Sequence, residues 1–221
     1  MEGTSMKGKG RVAFGFAWVV VALVVTSAAA AAVITGTPGN DALRGTASAD
    51  EIRAFDGDDF VNARAGDDIV RAGKGSDRVQ GDNGNDRIWG GVGQDTLRGG
   101  NAADVVWGGS GSDFVEGGQG ADELHGGTGN DAVDGSAGDD ILYGGPGADI
   151  VRGGPGNDRL HALAADNDPD VLDCGPGNDT ARVLQSERAS TRLIRCETVV
   201  IVTAASAADA AAEADDDGGA E

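Results

Sequence analysis

The sequence predicts an all-β chain: a solenoid of short turns stacked in a single file. Three observations predict it. From Gly36 to His161 a nine-residue unit recurs fourteen times without a break, a period too short for a conventional core and suited to stacked backbone turns. The sixth place of every unit is aspartate, and the eighth is apolar. Glycine accounts for 39 of the 221 residues and aromatics for 4%, and the glycines keep register, unlike those of a disordered linker.

The N-terminal segment comes first. Lys7, Lys9 and Arg11 precede an uncharged run from Val12 to Val25 and a small-residue stretch from Ser27 to Ala32. That layout predicts a secretory signal peptide over residues 1–32, with A-x-A cleavage options ending at Ala30 or Ala32. An uncleaved anchor is the alternative, because the apolar run from Val12 to Ile34 is 23 residues long and could span a bilayer. Cleavage predicts a secreted, extracellular chain; retention predicts a surface-anchored one with a membrane partner.

The array occupies residues 36–182. Its clearest units are Gly90–Arg98, Gly108–Glu116 and Gly117–His125. After His161, Ala162 to Ala164 break the register, and Ala165–Asp173 and Cys174–Arg182 resume it. The 16 sixth-place residues are Asp41, Asp50, Asp59, Asp68, Asp77, Asp86, Asp95, Asp104, Asp113, Asp122, Asp131, Asp140, Asp149, Asp158, Asp170 and Asp179. The eighth place runs from Leu43 and Ile52 through Leu160 and Leu172 to Ala181. Places seven to nine therefore predict a three-residue strand with one inward apolar side chain. The first six places predict a turn whose glycines permit positive φ.

One inward aliphatic side chain per nine residues is too little apolar burial to offset the entropy of ordering the turn. Stacking brings aspartates together and adds repulsion. A hard divalent cation between loops would cancel that repulsion and take carbonyl oxygens as further ligands. The formal charge of −20 excludes nucleic acid as a partner, since phosphate contacts need clustered Lys and Arg.

Residues 183–202 leave the period and carry apolar clusters, which predicts a C-terminal cap of one or two strands. Residues 203–221 are alanine and acid, ending near Asp215, Asp216 and Asp217, which predicts a disordered tail. Cys174 and Cys196 lack C-x-x-C spacing, and in an exported chain such a pair predicts a disulfide tying the last unit to the cap.

The units match G-G-x-G-x-D-x-U-x, where U is a large aliphatic. Over residues 36–182 the chain resembles the RTX, or hemolysin-type, calcium-binding nonapeptide-repeat family. The resemblance implies a right-handed parallel β-roll with two units per turn, each Ca²⁺ shared by units n and n+2. It implies the sixth-place aspartates as side-chain ligands and at most about 12 ions for fourteen contiguous units. Many family members carry a C-terminal export signal, whereas this chain has an N-terminal one.

Other motifs carry less. Asp166, Asp168 and Asp170 open like an EF-hand, but Val171 stands where glycine is required and Gly177 where glutamate is, so extra calcium ligands in a distorted turn are the better reading. His125 and His161 fall at the outward ninth place and read as surface residues. Trp89 and Trp107 share that place two units apart, so they should stack, either as packing or as a small platform for a sugar or protein. The functional expectation is a secreted, non-enzymatic calcium-binding protein that folds as it binds the ion. The alternatives are an adhesive or accessory module, or the β-roll remnant of a secreted enzyme; protein or glycan partners are left open.

Overall fold

The structure, a computed structural model, describes residues 31–166 and 168–203. The signal-peptide reading of residues 1–32 and the tail reading of 203–221 fall almost wholly outside the described residues. Among the described residues all regular structure is strand. The strands are β1 (Val33–Thr35), β2 (Ala42–Arg44), β3 (Glu51–Asp56), β4 (Phe60–Ala65), β5 (Ile69–Lys74) and β6 (Arg78–Asn83). Next come β7 (Arg87–Val92), β8 (Thr96–Asn101), β9 (Val105–Ser110), β10 (Phe114–Gln119), β11 (Glu123–Thr128) and β12 (Ala132–Ala137). The last seven are β13 (Ile141–Tyr143), β14 (Ile150–Arg152), β15 (Arg159–Ala162), β16 (Val171–Asp173), β17 (Thr180–Leu184), β18 (Arg192–Ile194) and β19 (Thr198–Val202).

Odd strands form one ten-stranded sheet and even strands a nine-stranded one, each in sequence order. Every pairing is parallel, and partners stand two repeat units apart, as in Val115 with Leu97 and Val133. Two units therefore make one turn, giving a parallel β-solenoid of about 9 turns. The Ala162–Ala164 insertion lengthens two such steps, from Val151 to Leu172 and from Leu160 to Ala181, without disturbing the pairing. The eighth-place side chains fill the space between the sheets, and from Leu43 to Ala181 none is more than 1% exposed.

Most strands are longer than the expected three-residue segment. In β3 to β12 pairing continues into the second and third places of the next unit, because the glycine turn stays extended enough to hold the neighbouring turn. Four of the short strands, β1, β13, β14 and β16, precede Pro38, Pro146, Pro155 and Pro176, all at the third place. A proline there has no N–H for the ladder. Units lacking the second glycine keep its backbone: Phe55, Arg64, Asp82 and Ser136 hold φ of 81°, 85°, 75° and 71° at that place.

β18 and β19 add one strand to each sheet. The Cys174–Cys196 disulfide forms, with Cα atoms 5.1 Å apart. Val199, Val200 and Ile201 remain exposed on β19, so this strand extends the stack and leaves an open edge.

Candidate metal centre

Stacking at two units per turn sorts the sixth-place aspartates into two columns, one at each edge of the roll. The first holds Asp41, Asp59, Asp77, Asp95, Asp113, Asp131, Asp149 and Asp170; the second holds Asp50, Asp68, Asp86, Asp104, Asp122, Asp140, Asp158 and Asp179. All 16 are buried, at 0–4% exposure. The strand that follows each one starts at the next residue, which fixes the carboxylate at the mouth of the turn.

Within a column each aspartate N–H donates to Oδ1 of the aspartate one turn later, at 2.7–3.0 Å. The second oxygen is the informative one. Oδ2 is buried without a partner in Asp59, Asp68, Asp77, Asp86, Asp95, Asp104, Asp113, Asp122, Asp131, Asp140, Asp149, Asp158 and Asp179. A buried, unmatched acceptor is costly and calls for a counter-charge. The first-place glycine lies beside it: a methyl group on Gly90 would stand 2.5 Å from Asp95 Oδ2 and 2.6 Å from the carbonyl oxygen of Gly108, one turn on. At Gly126 the same distances are 2.7 Å to Asp131 Oδ2 and 2.5 Å to the Gly144 carbonyl. Only hydrogen fits there, and it leaves a carboxylate oxygen of unit n and a carbonyl of unit n+2 facing one space.

The first two units differ. Thr37 donates its N–H and hydroxyl to Asp41 Oδ2 at 2.6 and 3.1 Å, and Thr46 does likewise to the two oxygens of Asp50 at 2.5 and 3.0 Å. Asp50 also accepts Ala32 N–H at 2.7 Å, so both its oxygens are engaged.

Burial dominates the electrostatics. It pushes Asp59, Asp77, Asp86, Asp122, Asp131, Asp158 and Asp170 up from 3.8 to about 6. Asp68, Asp95, Asp140 and Asp149 rise to about 7, and Asp104 to about 8. Asp113 and Asp179 rise as well, from burial first. The N–H of the preceding turn pulls each back, and neighbouring carboxylates raise most of them further. The second column opens to solvent along a groove of about 520 Å³ lined by Asp104, Asp122, Asp140 and Asp158.

Among the described residues no three His, Cys, Asp or Glu side chains converge to hold a metal by themselves. The donors on offer are instead one carboxylate oxygen and backbone carbonyls per loop. Hard oxygens of this kind suit calcium, whereas zinc would select nitrogen or sulfur.

Two glutamates belong to this architecture and carry no repeat signature. Glu197 Oε2 accepts the N–H of Asp179 at 3.0 Å and so continues the second column; its two-unit stride from Asp179 is the signal that reveals it. Glu187 is 2% exposed, with Oε1 buried and unpartnered.

The ninth-place histidines are a correction to the surface reading. Trp89, Trp107, His125, Tyr143 and His161 stack down the ten-stranded sheet with successive centroids 4.6, 5.7, 4.6 and 4.5 Å apart. Arg71 caps the stack 5.0 Å from the Trp89 ring. His125 and His161, at 6% and 5% exposure, are covered by the larger rings beside them. Burial lowers His125 and holds His161 down at about 4. Most ring faces are covered by one another, which leaves edges rather than a flat platform for a sugar.

A parallel β-solenoid with two buried columns of half-matched carboxylates defines a repeat-built calcium-binding module. The RTX calcium-binding nonapeptide repeat family matches residues 35–70, 62–97, 91–124, 98–133, 125–160 and 143–181. The chain belongs to that family, whose repeats bind calcium. No individual curated protein matches the chain.

Proposed function

We propose that the chain is a secreted, non-enzymatic protein that completes its fold by binding calcium between successive turns. The columns of buried aspartates with one unpartnered oxygen carry this reading. From Asp59 to Asp158 each aspartate holds the preceding turn through Oδ1 and offers Oδ2 to the ion, while first-place carbonyls one turn on supply further oxygens. Bound calcium supplies the positive charge that offsets these desolvated carboxylates. The regular units from Ala54 to His161 offer the most uniform sites, whereas the threonine contacts of Asp41 and Asp50 make the first turn the weakest ligand set.

Residues 36–182 are committed to the array, which favours a binding module over a catalyst. The basic patch, apolar run and small-residue stretch before Val33 support export, where ambient calcium can fill sites of roughly 10⁻⁴–10⁻³ M affinity. Far-UV circular dichroism in excess chelator and in millimolar calcium tests the mechanism. A largely unfolded spectrum should convert cooperatively to a β-spectrum; identical spectra would defeat it. Intact-mass measurement separates the two export outcomes: a mature chain starting near Ala30 to Val33 supports secretion, and retention of Met1 to Thr26 in the membrane fraction supports a surface anchor.

A further inference from the structure

The two aspartate columns end differently. At the end of the second, Asp179 meets Glu197; burial and then Glu197 raise the Asp179 carboxyl, and the Arg195 guanidinium, which bonds Asp173 with Nε at 2.8 Å, partly offsets them. That column closes on a built-in cation. The first column ends at Asp170, 4% exposed, with Oδ1 accepting Asp149 N–H at 3.0 Å. Here the turn at 185–191 folds over it. The N–H groups of consecutive residues tie the two parts together: Thr191 donates to the Glu187 carbonyl at 2.9 Å and Arg192 to the Asp170 carbonyl at 2.8 Å. This brings buried Glu187 close enough for its charge to bear on Asp170, with Oε2 taken by the Ser190 hydroxyl at 3.2 Å and Oε1 left unpartnered.

The inserted turn adds more acid. Asp166 accepts Gly147 N–H at 2.7 Å and Asp168 N–H at 3.1 Å. The charges of Asp166, Glu187 and Asp168 all bear on Asp170, opposed by the Asp149 N–H. Buried carboxylates facing each other without a counter-charge are costly.

We propose that Asp170 and Glu187, with Asp166 and Asp168 at the rim, form a divalent-cation site where the first column meets the cap, with Glu187 the ligand from outside the nonapeptide repeats. The two buried carboxylates would supply the protein charge, and carbonyls and water would complete the oxygen shell. The site would fasten the last turn to the stack, as Arg195 does on the other edge. The proposal rests on the calcium reading of the chain, and what it adds is the role of Glu187.

Native mass spectrometry of the full chain with calcium as the only added ligand counts the ions. Glu187→Gln should bind one ion fewer than the unaltered chain, keep the repeat-driven dichroism transition, and lose calcium-dependent protection of the Thr191 and Arg192 amides from hydrogen exchange. An unchanged count, or a rise in stability alike in chelator and in calcium, would show that Glu187 holds no ion and overturn the site. If Glu187→Gln does not fold, Asp168→Asn decides, because that residue is exposed. Weakening of a single ion by severalfold supports the site, and an unaltered titration overturns it. A chain with no dichroism transition that still binds one Glu187-dependent ion would sink the repeat mechanism and leave this site standing.

Discussion

Replacing Asp122 with Asn should stabilise the roll without calcium and weaken it with calcium. Asp122 holds Asp104 N–H at 2.8 Å through Oδ1 while Oδ2 is buried without a partner. The amide has the same shape, keeps an oxygen for Asp104, and removes the charge. Its NH₂ also has an acceptor, because the Gly135 carbonyl lies on the same side of Gly117 as Asp122 Oδ2. Burial raises Asp122 from 3.8 to about 6, which at ~1.36 kcal/mol per decade is about 3 kcal/mol against the ionised fold above pH 6. The neutral variant should recover most of this in chelator. With calcium it lacks a charged ligand, and a tenfold loss of affinity corresponds to about 1.4 kcal/mol. Folding in chelator can be driven by a stabilising osmolyte, followed by far-UV dichroism near neutral pH, with a calcium titration in parallel. A variant that needs more osmolyte than the parent, or takes up calcium unchanged, would refute the assignment of Oδ2 to the ion.

The same carboxylates predict an unusual pH response. They rise from 3.8 to about 6–8 on folding, so their contribution to stability is full below about pH 4 and is lost as pH climbs through 6–8. The chelated chain should therefore gain β-structure on acidification from pH 8 to 5; a spectrum that stays unfolded would count against the buried columns. Ala102→Gly should raise the midpoint temperature, because Ala102 holds φ 83° at the fourth place and relief of about 1–2 kcal/mol exceeds the added chain entropy of about 0.5–1 kcal/mol; an unchanged midpoint contradicts the strain. Reducing Cys174–Cys196, whose partners are 22 residues apart, should cost about 3 kcal/mol in the calcium form. Thiol labelling of both cysteines in native exported protein would contradict the bridge itself. Finally, Asp113→Ala should lower calcium affinity more than Asp216→Ala, since Asp113 stands in register and Asp216 does not; equal effects would show that general acidity binds the ion.

The architecture was legible because its rule is one-dimensional. A period of nine with Asp at six and an aliphatic at eight leaves one stacking solution, and the spacing between paired strands of a sheet is twice that period. What did not show was set by contacts between turns. The strands run through the glycines because neighbouring turns hold them, and third-place prolines shorten them by removing a donor, a pattern visible in sequence only once the longer strands are known. Ninth-place histidines look like surface residues one unit at a time; burial comes from rings a full turn away along the stack. Glu197 carries the column's stride but no repeat around it. Glu187 has no stride at all, since the turn that carries it is irregular.

The ring stack also makes the molecule its own optical gauge. Trp89 and Trp107 lie nearly parallel, at 7° and 4.6 Å between centroids, so their transition dipoles couple as a pair. They come from β7 and β9, and nothing local in the chain brings them together. Coupling of this kind arises only when one turn has settled on the next. A paired signal near the indole bands would therefore report stacking in the middle of the array, separately from backbone ellipticity, which averages over every strand. Stopped mixing with calcium, read at both wavelengths, would show whether the central turns lock before, with, or after the rest.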